Sequence, residues 1–337
     1  MTTFFVAGLL AGGCEGVPQT PEPAPTTSTA TGTASSSTGG STSTAAPTGD
    51  ATDPTMAATG TIFDVASPDV PIDIGCHKAD FLFVIDNSGS MQEHQQQLLE
   101  SFPGFIDAIL GSLEELDSIH VGVVTSDAYA FNEPGCQGLG ALVTQTGGTD
   151  SSQAVCTPFV EGRRFFTEQD SLAAAFNCVA RVGTEGSGNE LPMSATVAAL
   201  QPEMTGVGGC NEGFLRDDAI LVVVVVSDDP PFPGTPDDAW PLIDTTVWRE
   251  AILETKGGSD DAIVVIGVVS YADTSCVCPW CCPGYGCMAP NDNAIELVES
   301  FDDHGALGSV CTDDYAAVLS QTIETIEATC VAFEPPG

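Results

Sequence analysis

Four long apolar runs constrain this chain more than any other feature: Ala79 to Ile85 (ADFLFVI), Ile119 to Thr125 (IHVGVVT), Ala219 to Val226 (AILVVVVV) and Ala262 to Val269 (AIVVIGVV). They are β-branched and nearly continuous rather than alternating, so each is expected to be a strand covered on both faces. Amphipathic stretches with helical spacing lie between them: Gln92 to Leu113, Glu168 to Val182, Leu191 to Leu200, Pro236 to Thr255, Asn293 to Phe301 and Asp313 to Thr329. Alternation of this kind implies crossover connections and parallel pairing. The expected fold class is α/β: a doubly wound, mainly parallel sheet with helices on both faces. None of the runs approaches the ~20 residues of a membrane helix; the longest closes on Ser227-Asp228-Asp229.

The residues ahead of the first run are of another kind. From Glu15 to about Gly60 the chain is Thr, Ser, Ala, Pro and Gly with almost no large apolar side chain. Such a stretch cannot offset the entropy of ordering, so residues 15–60 are expected to form a disordered tether and residues 61–334 the folded domain. The chain has 13 cysteines, a usage that fits an oxidising compartment. The first closes the segment Phe4-Phe5-Val6-Ala7-Gly8-Leu9-Leu10-Ala11-Gly12-Gly13-Cys14. This segment, residues 1–14, resembles the signal segment and lipobox of bacterial lipoproteins. The resemblance implies export, lipidation of Cys14, and anchoring to the bacterial outer membrane or cell surface.

Twelve cysteines then remain, an even set that can pair into disulfides: Cys76, Cys136, Cys156, Cys178, Cys210, Cys276, Cys278, Cys281, Cys282, Cys287, Cys311 and Cys330. Five of them crowd an insertion at 274–290. Clustered thiolates can hold zinc, but the regular paired CxxC spacing is missing, and a disulfide knot is expected instead. Five is odd, so at least one of the group must pair outside it, with Cys76, Cys311 or Cys330 as candidates.

Charge narrows the function. There are 47 acidic against 7 basic residues, a net charge of -40. Binding to nucleic acid, or to an anionic membrane surface, needs clustered cations that this chain lacks; membrane contact is expected only through the lipid anchor. Enzyme signatures are missing too: the sequence has no Gly-x-Ser-x-Gly elbow, no His-Glu-x-x-His and no phosphate loop ending in Lys-Ser/Thr. His77, His94, His120 and His304 are isolated in the sequence. A non-enzymatic protein is expected.

In open α/β sheets, ligands bind beyond the carboxyl ends of the strands. The first run ends in Asp86-Asn87-Ser88-Gly89-Ser90-Met91 and the third in Ser227-Asp228-Asp229, so two acidic loops should face each other there. An EF-hand beginning at Asp86 would need Gly at its sixth position and Glu at its twelfth, where Met91 and Gln97 stand. A phosphoryl-transfer Asp-x-Asp loop would need a carboxylate at Ser88. Ser88 and Ser90 could also simply cap the following helix.

The pattern Asp-x-Ser-x-Ser after an apolar strand, with a later Asp closing another such strand, resembles the von Willebrand factor type A (vWA) domain and its metal-ion-dependent adhesion site, over most of residues 78 to 330. The resemblance implies a Rossmann-like vWA fold with Ser88 and Ser90 as direct ligands and Asp86 acting typically through water. It makes Asp228 the acid of the third loop. The middle loop should add a hydroxyl from Val182 to Glu190, with Thr184 the choice and Ser187 the alternative.

Two hydroxyls and few carboxylates suit a hydrated hard cation and leave it some Lewis acidity. One Mg²⁺ or Mn²⁺ is expected, with Ca²⁺ as the alternative, and its open position would take an acidic side chain from a protein partner. The expected function is that of a cell-surface lipoprotein that binds protein through this site. The alternative is a structural or envelope-assembly protein in which the metal only stabilises the fold.

Overall fold

The four apolar runs pair side by side, as expected from their continuity. The computed structural model describes residues 75–113, 116–228, 245–270, 291–312 and 315–336. Along the chain these form Lys78–Ile85 (β1), Gln92–Ser112 (α1), Ser118–Thr125 (β2), Phe166–Thr167 (β3), Leu172–Val179 (α2), Pro192–Leu200 (α3) and Pro202–Thr205 (α4). Then come Ile220–Ser227 (β4), Thr246–Glu254 (α5), Ile263–Val269 (β5), Asp292–Glu299 (α6), Gly305–Ser309 (β6) and Tyr315–Ala332 (α7). The described residues lie in one compact unit spanning Ile72–Gly337. The lipobox-like segment with Cys14, the expected tether 15–60, Asp229 and the cysteine-rich insertion 274–290 fall outside the described residues.

The sheet runs β3-β2-β1-β4-β5-β6. Every neighbouring pair is parallel except β2 with the two-residue edge strand β3. Helices α1, α2 and α7 pack together on one face, while α3, α5 and α6 cover the other. This is the doubly wound α/β arrangement. Side chains along a strand point alternately to the two faces, which is why both halves of the period in β1 are apolar. Phe83 meets Phe102 of α1 and Phe176 of α2, and those two rings stack with centroids 3.6 Å apart. Residues 81 to 85 are fully buried, each contributing roughly 1.5–3 kcal/mol by leaving water.

One expected helix is shorter than the periodicity indicated, and part of another lies outside the described residues. The stretch from Glu168 begins its helix only at Leu172, because the Asp170 carboxylate accepts the Val160 and Thr167 N–H groups (2.9 and 3.0 Å) and holds a turn there. The helix expected from Pro236 is described from Thr246 onward.

At the amino edge of the sheet the buried carboxylate of Asp80 accepts Arg216 N–H (2.8 Å) and Nε–H (2.7 Å). Burial pushes its pKa up to about 6, although Arg216 and Lys256 pull it down. His120 stands 3.5 Å from the same carboxylate and donates from Nδ1 to Phe214 O at 2.7 Å. Burial and then the Arg216 charge push the imidazole down to about 4.

Among the described residues three disulfides staple the unit: Cys76–Cys330, Cys136–Cys210 and Cys156–Cys178. The first ties the start of β1 to the end of α7; the other two hold residues 126–165, which connect β2 to β3. Cys311 is disulfide-bonded as well. Such bonds are those of a protein matured in an oxidising compartment. No helix among the described residues is long and apolar enough to cross a membrane.

Candidate metal centre

The strand register assembles the site. Ile85 is level with Thr125 on one side and with Val226 on the other, so Asp86, Ser126 and Ser227 follow at one height above β1. Asp86 N donates to Val226 O (2.9 Å) and Ser126 N to Ile85 O (3.2 Å), extending the ladder to the edge. Chain connections diverge from β1 at this point, which opens a crevice over it.

Asp86 is fully buried. Its Oδ1 accepts Ser88 N–H (2.8 Å) and the Ser126 hydroxyl (3.3 Å), and its Oδ2 accepts the Ser227 hydroxyl (2.8 Å). The bond to Ser88 N is an Asx turn. It curls the loop so that the Ser88 and Ser90 hydroxyls lie 3.2 Å apart, and Ser90 Oγ donates to Asp228 Oδ1 at 3.0 Å. Helix α1 has no side-chain cap; the two serines turn toward each other and toward Asp228. The structure thus brings together Ser88, Ser90 and Asp228, with Asp86 beneath them.

The middle loop closes the third side. Gly186 N donates to Asn87 O (2.8 Å), and a Cβ on Gly186 would lie 2.4 Å from the Asn87 side chain, so only glycine permits this approach. The Gln95 amide bridges the loops, donating to Asp86 O (3.0 Å) and Gly183 O (2.9 Å). Neither hydroxyl expected from this loop bonds the Asp86 group. Thr184 Oγ1 donates to Asp150 (2.9 Å), and Ser187 Oγ accepts Asn189 N–H (3.0 Å).

The middle-loop side chain that does reach Asp86 is Glu190, which sequence reasoning passed over. It is 2% exposed, stands two residues ahead of α3, and hydrogen-bonds the Asp86 carboxyl. Its neighbour fixes it: Leu191 N donates to Ser126 O (2.8 Å). The available signal was its position, a carboxylate at the junction between a glycine-rich loop and an apolar helix.

Burial raises the Asp86 pKa, while hydrogen bonds from Ser88 N–H and Ser227, and the contact with Glu190, lower it. Two buried carboxyl groups in contact need a proton or a cation between them. His94 backs the cluster from α1, with Nε2 3.8 Å from Asp228 Oδ2 and Nδ1 3.0 Å from the Tyr315 hydroxyl. Burial holds its imidazole below the usual range.

These donors fit a hard cation. They are all oxygens, and the described residues contain no cluster of three or more His, Cys, Asp or Glu arranged to hold a metal. Any shell here therefore depends on the Ser88 and Ser90 hydroxyls, with Asp228 beside them and Asp86 and Glu190 behind.

No protein-family model matches the chain, and no curated protein does either. Among solved structures it is similar to a von Willebrand factor type A protein from Catenulispora acidiphila, at 15% identity and a TM-score of 0.37 over 75% of this chain and 43% of that one. It is similar also to proximal thread matrix protein 1 from the mussel byssus, at 14% identity and a TM-score of 0.38 over 76% of this chain and 49% of that one. A third is the human COPII-coat protein Sec24c, at 12% identity and a TM-score of 0.35 over 75% of this chain and 32% of that one. The chain spans less than half the length of each of these proteins.

Proposed function

We propose that the carboxyl edge of the sheet binds one hydrated divalent cation, Mg²⁺ or Mn²⁺, and through it an acidic side chain of a protein partner. The observation that carries this reading is the convergence of Ser88 Oγ, Ser90 Oγ and Asp228 Oδ1 within 3.0–3.2 Å steps above a buried Asp86. Ser88, Ser90 and Asp228 would hold the ion, with Asp86 and Glu190 balancing its charge from below. Two neutral hydroxyls leave the cation electrophilic enough to attract one more anionic oxygen. The bound ion supplies that attraction; the chain supplies a rigid three-loop seat. In this reading the protein is an adhesive vWA-type module and not an enzyme. It is displayed outside the cell on a lipid-anchored tether that begins at Cys14.

Calorimetric titration of the full chain tests the site. One saturable Mg²⁺ or Mn²⁺ site is expected, with affinity at least tenfold lower in Ser88→Ala and an unchanged unfolding curve without metal; no saturable site in the wild type overturns the proposal. Capture of surface proteins with and without chelator tests the role. A partner lost on chelation, while circular dichroism is unchanged, supports adhesion. A partner retained while the melting temperature falls supports the envelope-structural alternative.

A further inference from the structure

A cleft of about 230 Å³ lies beside the candidate metal centre, between the first turns of α1 and residues 150–151, with Gln92, Gln95, Gln96, Asp150 and Arg181 in its walls. It adjoins the metal loop directly. Gln95 is the residue whose amide bonds Asp86 O and Gly183 O, and Gln92 follows Ser90 by two residues. Asp150 is already engaged by the Thr184 hydroxyl at 2.9 Å.

Arg181 stands apart from every other cation of the molecule. Lys78 pairs with Asp218, Arg163 with Glu161, Arg164 with Glu133, Arg216 with Asp80, and Arg249 with Asp260. Lys256 donates to the backbone carbonyls of Arg216 and Ala219. Six of the 7 basic residues in a chain with 47 acidic ones are thus committed. Among the described residues no ion pair or hydrogen bond engages the Arg181 guanidinium. A planar fork of five donors, half-buried in a cleft, is matched to a carboxylate.

We propose that this cleft is a second acid-binding subsite, so that the partner presents two acidic side chains, one to the cation and one to Arg181. The inference rests on the metal-dependent reading above and specifies the partner's chemistry. Side chains at alternate positions of an extended segment point the same way, so the shortest segment that can present two acids on one face is an acidic residue, any residue, then a second acidic residue. A broadly acidic surface would be repelled by a chain of net charge -40; two acids placed at two local positive points would not.

The test uses the full chain at saturating Mg²⁺ and three blocked tripeptides, Glu-Gly-Glu, Glu-Gly-Gln and Gln-Gly-Gln, with affinities read from chemical-shift titrations. Glu-Gly-Glu should bind about tenfold more tightly than Glu-Gly-Gln. Arg181→Gln should remove that preference without changing Mg²⁺ affinity, and Arg181→Lys should restore part of it. Arg163→Gln, at a paired and distant position, should leave the preference intact. Equal binding of the two acidic peptides to the wild type, or a preference that survives Arg181→Gln, overturns the inference.

Failure of the metal site itself would appear separately, as no saturable Mg²⁺ binding. The peptides are then compared without metal. A preference for Glu-Gly-Glu over Gln-Gly-Gln that depends on Arg181 would still support the cleft, and no preference would overturn it.

Discussion

Glu190 and Thr184 lie six positions apart in one loop, yet only Glu190 touches Asp86. Motif spacing made the convergence of Asp86, Ser88, Ser90 and Asp228 legible, because the first three sit in a tight turn and the last directly follows a strand. It could not resolve the middle loop, whose path is set by the Gly186 approach to Asn87 and the Gln95 bridge, both long-range contacts. Glu190→Gln is therefore expected to lower Mg²⁺ or Mn²⁺ affinity at least tenfold, since it removes a balancing charge, whereas Thr184→Val should leave it unchanged; calorimetry of the two variants separates them. Asp80 and His120 carry a second consequence at this scale. An acid whose folded pKa is raised to about 6 makes the fold bind protons that the unfolded chain releases, so its contribution falls as pH rises from about 4 to 6, by roughly 3 kcal/mol. A histidine lowered to about 4 acts in the opposite sense, adding stability as pH rises from about 4 to 6.5. In His120→Gln the first contribution is left unopposed. Its stability deficit relative to wild type, measured by urea unfolding, should widen steadily between pH 4 and 6.5; a deficit independent of pH would contradict the shift.

Elements were legible where burial was two-sided and hidden where it was not. Strands β1, β2, β4 and β5 are continuous apolar runs, and their positions in the sheet follow. Strand β6, Gly305–Ser309, has the sequence GALGS and only intermediate burial along its length; nothing in its composition separates it from a turn. The edge strand β3 is two residues long, too short to carry a period. Both exist because a neighbouring strand offers them a hydrogen-bonding edge. Helix α1 runs through Pro103, a residue that would break a helix lacking tertiary support, and the contacts of Phe102 with Phe83 and Phe176 provide that support. Phe176→Ala should cost about 3–5 kcal/mol by opening a cavity between α1, α2 and the sheet, read as a lowered urea midpoint with an unchanged slope.

Across the whole molecule, the number of cysteines was legible and their connectivity was not. If the five cysteines in 274–290 are all paired, at least one needs an outside partner, and the Cys76–Cys330 bond removes two of the three candidates. Cys311 remains, and it is disulfide-bonded. Peptide mapping without reduction is expected to find Cys311 linked to a peptide from 274–290; a Cys311 thiol that alkylates freely would refute this. The Cys76–Cys330 bond has a mechanical meaning too. Cys76 lies two residues before β1 and Asp86 one residue after it, with β2 hydrogen-bonded along one side of the strand and β4 along the other. A pull between residue 76 and a ligand held above Asp86 therefore runs lengthwise along the central strand, over roughly 26 Å. It loads two ladders in shear, so that many hydrogen bonds must yield together rather than one after another. A pull between residue 76 and the end of α7 instead meets a covalent bond and bypasses the sheet.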